Sequence, residues 1–192
     1  MSGVPEPTAT PDTPSVLPGV RVGRLVSHGD ARGSFTELWR ASNTATGSDA
    51  FVQANLSSSS QGVLRGLHLH RHQIDYWVVA EGRAFVALVD ARGLIDGTAM
   101  VPSVETHELA ENDWVVIPAG VAHGFLALEP TRLLYLVTNE YDGSDELGFA
   151  WDDPAVGVPW PVLSVTADGR PIVSERDASN PSLAVLVARL RT

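Results

Sequence analysis

DYWVVAEGRAFVALVDAR, residues 75–92, carries two runs of valine, aromatic and other apolar residues on either side of Glu81-Gly82. Runs of this length between turn residues read as strands, and the Glu-Gly pair reads as a compact hairpin joining them. Asp90-Ala91-Arg92-Gly93 ends the second strand. The same pattern extends outward in both directions: VRVGRLVSH (20–28), SFTELWR (34–40), AFVQANLS (50–57), GVLRGLHLH (62–70), DWVVIPAG (113–120) and TRLLYLVTNEY (131–141). Only the tail SLAVLVARLRT has helical spacing, with Leu183, Leu186 and Leu190 on one face, and it predicts a short closing helix. Many short strands in a chain of 192 residues predict an all-β sandwich, jelly roll or barrel that covers its own edges and binds ligands in its mouth.

Length and a 44% hydrophobic content fit one domain with one sizeable core, expected over residues 20–192. Five of the thirteen prolines fall within residues 1–18 among Thr, Ser and Gly, a composition that buries little apolar surface; residues 1–19 are expected to form a flexible arm. No internal repeat is visible. The start lacks the basic and apolar parts of a signal peptide, and no run approaches a membrane span, so a soluble protein is expected. With no cysteine there are no disulfides or thiolate ligands, and a cytoplasmic location is expected. A net charge of −10 argues against nucleic acid and anionic membrane as partners. It leaves room for a phosphorylated small molecule, because one or two arginines can hold a diphosphate through paired hydrogen bonds.

The chemistry-bearing residues concentrate in two places. Along a strand through RGLHLHRH, Arg65, Leu67, Leu69 and Arg71 share one side, while Gly66, His68, His70 and His72 share the other. A lone histidine is usually a satisfied structural residue; three on one face point to a site. In PAGVAHGF (118–125) a Pro-x-Gly turn aims the next strand so that His123 projects inward. Taken together, His68-Leu69-His70, Asp75 and Gly82, followed by the Pro118–His123 segment, resemble the two signatures of the cupin barrel, with Asp in place of the usual Glu. That resemblance implies a jelly-roll barrel and a metal held by His68, His70, Asp75 and His123.

A longer resemblance covers roughly residues 20–180. Asp30-Ala31-Arg32-Gly33-Ser34-Phe35-Thr36-Glu37, then Val52-Gln53-Ala54-Asn55 with GVLRGLH, then IPAGVAHGF, LLYLVTNEY, FAWDDPAVGVPWP and Ser174-Glu175-Arg176-Asp177 resemble, in order, the blocks of the dTDP-4-dehydrorhamnose 3,5-epimerase family. The resemblance implies an isomerase of deoxysugar biosynthesis, as in the making of dTDP-rhamnose, that needs no cofactor. Its substrate is a dTDP-linked 4-keto-6-deoxy sugar, inverted at C3 and/or C5 through an enolate. It implies His68 as base, Asp177 as the carboxylate that orients it, and Tyr135 as the acid on the opposite ring face. Arg32, Arg65 and His123 match the diphosphate contacts, Glu37, Gln53 and Asn55 match the polar lining, and Phe35 and Tyr141 can pack on a base or sugar face. A homodimer is implied, in which an edge strand of one subunit contributes to the other's pocket.

After Gly66-Leu67-His68 the chain departs from the family. Aligned back from Gly82, Asp75 stands where the family carries a lysine that stabilises the enolate oxygen, and a carboxylate there would repel that charge. His70, Arg71 or His72 could donate to the oxygen instead, a bound metal could polarise it, or the reaction differs from double epimerisation. A metal-dependent cupin enzyme and a nucleotide-sugar-binding protein without turnover are the alternatives that this departure leaves open.

Overall fold

A computed structural model describes residues 15–42 and 50–191. The all-β expectation holds. Two five-stranded antiparallel sheets face each other in a jelly-roll barrel, and a two-stranded hairpin stands outside them. The first sheet runs β1 (Arg21–Arg24), β9 (Asp113–Ile117), β6 (Asp75–Glu81), β11 (Thr131–Val137), β4 (Gln53–Ser59). The second runs β12 (Leu147–Gly148), β5 (Leu64–Leu69), β10 (Val121–Ala127), β7 (Arg83–Asp90), β8 (Ser103–Ala110). The outside hairpin pairs β2 (Ser27–Asp30) with β3 (Gly33–Thr36).

The period-2 pattern of β6 explains how three layers are filled. Trp77 and Val79 point between the sheets into a core with Val86, Leu88, Val115, Ile117, Phe125 and Leu133. Tyr76 and Val78 point outward but are buried as well, beneath Leu38, Trp39 and Phe51. On the far side of the second sheet, Leu67, Leu69 and Val89 are covered by Leu183, Leu186 and Val187 of the tail helix α3 (Leu183–Leu190). That helix begins where its sequence predicts, with the Ser182 hydroxyl capping the Val185 N–H. A strand covered on both faces reads as a continuous apolar run, which is why YWVVA shows no clean alternation.

Glu81-Gly82 is not a hairpin. β6 pairs with β9 and β11 in one sheet and β7 with β8 and β10 in the other, so the turn is the corner by which the chain crosses between sheets. Gly82 is required there: its φ is 83°, and a Cβ would meet the Pro130 carbonyl oxygen at 2.2 Å. Two short helices, α1 (Arg92–Asp96) and α2 (Glu175–Ala178), were also not expected from spacing. The arm expected over residues 1–19 lies outside the described residues as far as residue 14. Its last five residues are held: Leu17 is buried in the core, and Glu105 of β8 accepts hydrogen bonds from the Ser15 hydroxyl and the Val16 and Leu17 N–H groups.

Candidate active site

Between the two sheets opens a cavity of about 730 Å³. β5 supplies Arg65 and His68 to its wall, and β6 supplies Asp75 and Trp77; β10 adds His123, β11 Tyr135, and β4 Gln53 and Asn55. The strand reading of RGLHLHRH holds in its middle and fails at both ends. Leu67 and Leu69 face the α3 layer while His68 and His70 face the cavity. Arg65 was expected opposite His68 but lines the same cavity, because the β5–β10 register slips between the pairs His123↔His68 and Phe125↔Arg65. Gly66 takes up the slip, at φ 121° and so close to β10 that a Cβ would lie 2.7 Å from the Gly124 Cα. At the other end β5 stops at Leu69, and the Asp145 carboxylate accepts hydrogen bonds from the Arg71 N–H at 2.7 Å and the His72 N–H at 2.9 Å. Arg71 and His72 are exposed and line no part of the cavity.

Opposite that turn, the chain after residue 170 is tied to β5 by the Leu64 N–H to Ile172 O bond (2.9 Å) and the Ile172 N–H to Gly62 O bond (2.8 Å). α2 follows, capped by Ser174, and its first turn carries Asp177. A surface carboxylate would be the ordinary expectation there; instead Asp177 is buried, and His68 Nε2 donates to its Oδ1 at 2.8 Å while the Gly66 N–H donates to Oδ2 at 3.3 Å. Burial alone would raise the Asp177 carboxyl, but the hydrogen bond and charge of His68, helped by Gly66 and Ser174, hold it below the ordinary range. A carboxylate only accepts, so His68 Nε2 carries the proton and Nδ1 is the nitrogen left to act as a base.

Tyr135 lies in the other sheet. Its hydroxyl is pushed above the usual phenol range by burial and by the charge of Asp75, against the pull of Arg65, so it stays protonated at neutral pH. His123 is enclosed between Trp77 and His70, with ring centroids 5.1 and 5.3 Å away. Its burial pushes it down to about 4, against the pull of Asp75 and with the help of His70 and His68. His70, Asp75 and His123 each offer a ligand atom within 4.8 Å of the others; His68 does not belong to this group.

Of the expected binding residues, Arg65, Gln53, Asn55, His123 and Tyr141 line the cavity, and Arg32, Phe35 and Glu37 do not. Arg32 is ion-paired with Asp30 on the outer hairpin, Phe35 on the same hairpin is 69% exposed, and Glu37 is paired with Arg40. The sequence reading missed Glu146 and Arg176, an ion pair of 2.5 Å on the cavity rim, and Gln73, whose side chain fixes Asp75. Arg176 stands inside the quoted Ser174–Asp177 block; nothing in the sequence around Glu146 singles it out.

The sequence model of the family described as dTDP-4-dehydrorhamnose 3,5-epimerase matches residues 14–185. A dTDP-4-dehydrorhamnose 3,5-epimerase of Sinorhizobium fredii is 35% identical over 177 residues, 87% of this chain and 86% of its own length. The solved RmlC epimerase of Mycobacterium tuberculosis superposes with a TM-score of 0.78 at 29% identity, covering 92% of this chain and 90% of that one. RmlC of Legionella pneumophila, solved in complex with dTDP-4-keto-L-rhamnose, does so at 0.78 and 27% identity, over 92% and 94%. A match running through the barrel, the cavity walls and the closing Ser174–Asp177 block leaves one conclusion: the chain belongs to the dTDP-4-dehydrorhamnose 3,5-epimerase family.

Proposed function

We propose that this chain epimerises a dTDP-linked 4-keto-6-deoxy sugar at C3, at C5 or at both. One arrangement carries the reading: His68 with its Asp177 partner stands on one sheet, and Tyr135 stands on the other, both lining a single cavity. Inversion beside a ketone needs a base on one face of the ring and an acid on the other. His68 Nδ1 takes the C3 or C5 proton, the electron pair moves onto the C4 oxygen as an enolate, and the Tyr135 hydroxyl returns a proton to the opposite face. Asp177 fixes the tautomer and stabilises the imidazolium formed in the first step.

Arg65, Gln53, Asn55 and Tyr141 take the nucleotide end, with the Arg65 guanidinium suited to a phosphate oxygen. His123 faces Asp75 at 3.7 Å rather than open solvent, so it is a poorer diphosphate contact than Arg65. Arg32 and Phe35, exposed on the outer hairpin, and the half-buried Glu37 just after it serve the pocket of a second copy: a homodimer in which each protomer lends its outer hairpin to its partner. No helix among the described residues is long and apolar enough to cross a membrane; a cytoplasmic setting is proposed because the sequence has no cysteine that an oxidising compartment would pair.

The test is incubation with dTDP-4-keto-6-deoxyglucose in D₂O, followed by NMR. Deuterium at C3 or C5 with inverted product is the expected result. Tight dTDP binding without exchange at either carbon overturns the enzyme reading and leaves a binding protein.

A further inference from the structure

His70, Asp75 and His123 form a compact cluster on the cavity floor that base, acid and partner do not use. His70 Nδ1 donates to the Asp145 carbonyl at 2.6 Å, and His123 Nδ1 donates to the Val121 carbonyl at 3.2 Å. A carbonyl only accepts, so Nδ1 carries a proton in each ring and Nε2 is the nitrogen left to offer a lone pair to a metal. Asp75 is 3% exposed; Gln73 Nε2 donates to its Oδ1 at 2.8 Å and Trp77 Nε1 to its Oδ2 at 3.0 Å. Its Oδ2 lies 3.7 Å from His123 Nε2, beyond hydrogen-bond reach. Two imidazoles oriented from behind by carbonyls, and a carboxylate oriented by an amide and an indole, match the outer support that aims metal ligands. Ligands sharing one ion at about 2.0–2.2 Å lie roughly 3–3.5 Å apart, so the 3.7 Å gap between Asp75 and His123 closes with a shift of a few tenths of an ångström, while His70, whose ligand atom lies within 4.8 Å of the other two, closes in by about 1 Å or more through side-chain rotation.

We propose that His70, Asp75 and His123 bind one divalent first-row transition-metal ion, whose open positions face the sugar ketone. Two imidazoles and a carboxylate suit such ions and leave coordination sites free. His68 stays outside the set: the ligand atoms that lie within 4.8 Å of one another are those of His70, Asp75 and His123, and the His68 Nε2 is committed to Asp177. The proposed set keeps three of the four residues that the cupin resemblance implies and leaves base and metal separate. The ion does the work of the lysine that the family carries at Asp75. Held by His70, Asp75 and His123, such an ion would supply Lewis-acid stabilisation for charge on the C4 oxygen without change of oxidation state, while His68 takes the proton. This catalytic role rests on the epimerase reading; the metal site itself does not.

The full-length chain, purified without an affinity tag and stripped with chelator, is titrated with Co²⁺ while visible absorption and bound metal are followed. One ion per folded chain is expected. Asp75→Asn and His70→Ala should each weaken binding at least tenfold, whereas His72→Ala, at an exposed residue outside the cavity, should not. No stoichiometric uptake by folded wild type, or equal affinity in Asp75→Asn with an unchanged melting temperature, overturns the site. Deuterium exchange into the sugar should fall about a hundredfold on stripping, with KM little changed, and return on reloading. Full exchange by metal-free enzyme overturns the metal's role and leaves the epimerase reading intact; bound metal with no exchange in any state does the reverse. Asp75→Lys offers a last readout: it should abolish Co²⁺ uptake and make any remaining exchange insensitive to chelator.

Discussion

Replacing Asp177 with Asn isolates the electrostatic part of the proposed mechanism, because the side chain keeps its shape and loses its charge. In the wild type both carboxylate oxygens accept, one from His68 Nε2 at 2.8 Å and the other from the Gly66 N–H at 3.3 Å. An amide has one acceptor, so it satisfies only one of the two. Turned toward Gly66, its NH₂ donates to Nε2, and the proton of the imidazole moves to Nδ1, where the base should be. Turned the other way, it keeps the tautomer but loses the attraction between carboxylate and imidazolium. With charge centres about 4 Å apart and an effective dielectric near 20, that attraction is about 4 kcal/mol. The His68 side chain is 25% exposed, and solvent screening brings the figure to roughly 2–3 kcal/mol. The attraction exists only once His68 is protonated, so its loss falls on the barrier: kcat should drop about a hundredfold, with KM within a few fold. Initial rates of deuterium incorporation at C3 and C5, measured over a range of sugar concentrations, give both constants. An Asp177→Asn enzyme within fivefold of wild type, at an unchanged melting temperature, would refute the assignment of Asp177 as partner of the base.

Tyr135→Phe removes the acid and leaves the base, so NMR should still detect deuterium exchange at the carbon His68 reaches while inverted product falls at least a hundredfold; equal loss of both would place Tyr135 elsewhere in the mechanism. Gly66→Ala puts a Cβ against the Gly124 backbone at a left-handed φ and should cost about 3 kcal/mol or more, a fall of roughly 6–12 °C in Tm by calorimetry; an unchanged Tm would mean that the strands are not held this closely. Burial would raise the Glu105 carboxyl, but hydrogen bonds from Ser15, His107 and the Leu17 N–H hold it below its ordinary 4.5. Its contribution is therefore present above pH 4.5 and lost as pH falls through the lower folded value. The protection factor of the Leu17 amide, its exchange rate relative to the intrinsic rate at each pH, should fall over that range, and Glu105→Ala should show the low protection already at pH 7.

How far the sequence is legible follows from the range of the interactions involved. Strand existence is local, and the valine-rich runs at 75–90, 113–117 and 131–137 declare it. Strand partnership is not local: Glu81-Gly82 reads as a hairpin from its neighbours alone, and only the pairing of β6 with β11 and of β7 with β10 makes it a corner. Likewise, alternation puts His68 and His70 on one face, but the phase of Arg65 depends on Gly66 meeting Gly124, a contact set by a strand nearly sixty residues away. His72 is lost to the site because Asp145, a loop residue with no motif of its own, captures its backbone N–H.

The Asp177 partnership shows both what a family resemblance adds and where it stops. Ser174-Glu175-Arg176-Asp177 has the composition of an ordinary helix start, and no spacing rule links it to His68 across 109 residues; the resemblance supplied the pairing, and the Ile172 bridge to β5 supplies its physical cause. At Asp75 the resemblance runs in the opposite direction, since it supplies a lysine that this chain lacks. A carboxylate in that place is not a lone substitution: the same cavity floor holds two imidazoles aimed by Asp145 and Val121, and an indole and an amide aimed at the carboxylate itself. A developing enolate needs positive charge near its oxygen. Among the described residues that line this floor, those beside Asp75 offer ligand atoms rather than a fixed cation. The cluster is therefore better matched to holding a cation than to being one, and the Co²⁺ titration of wild type against Asp75→Asn decides between the two.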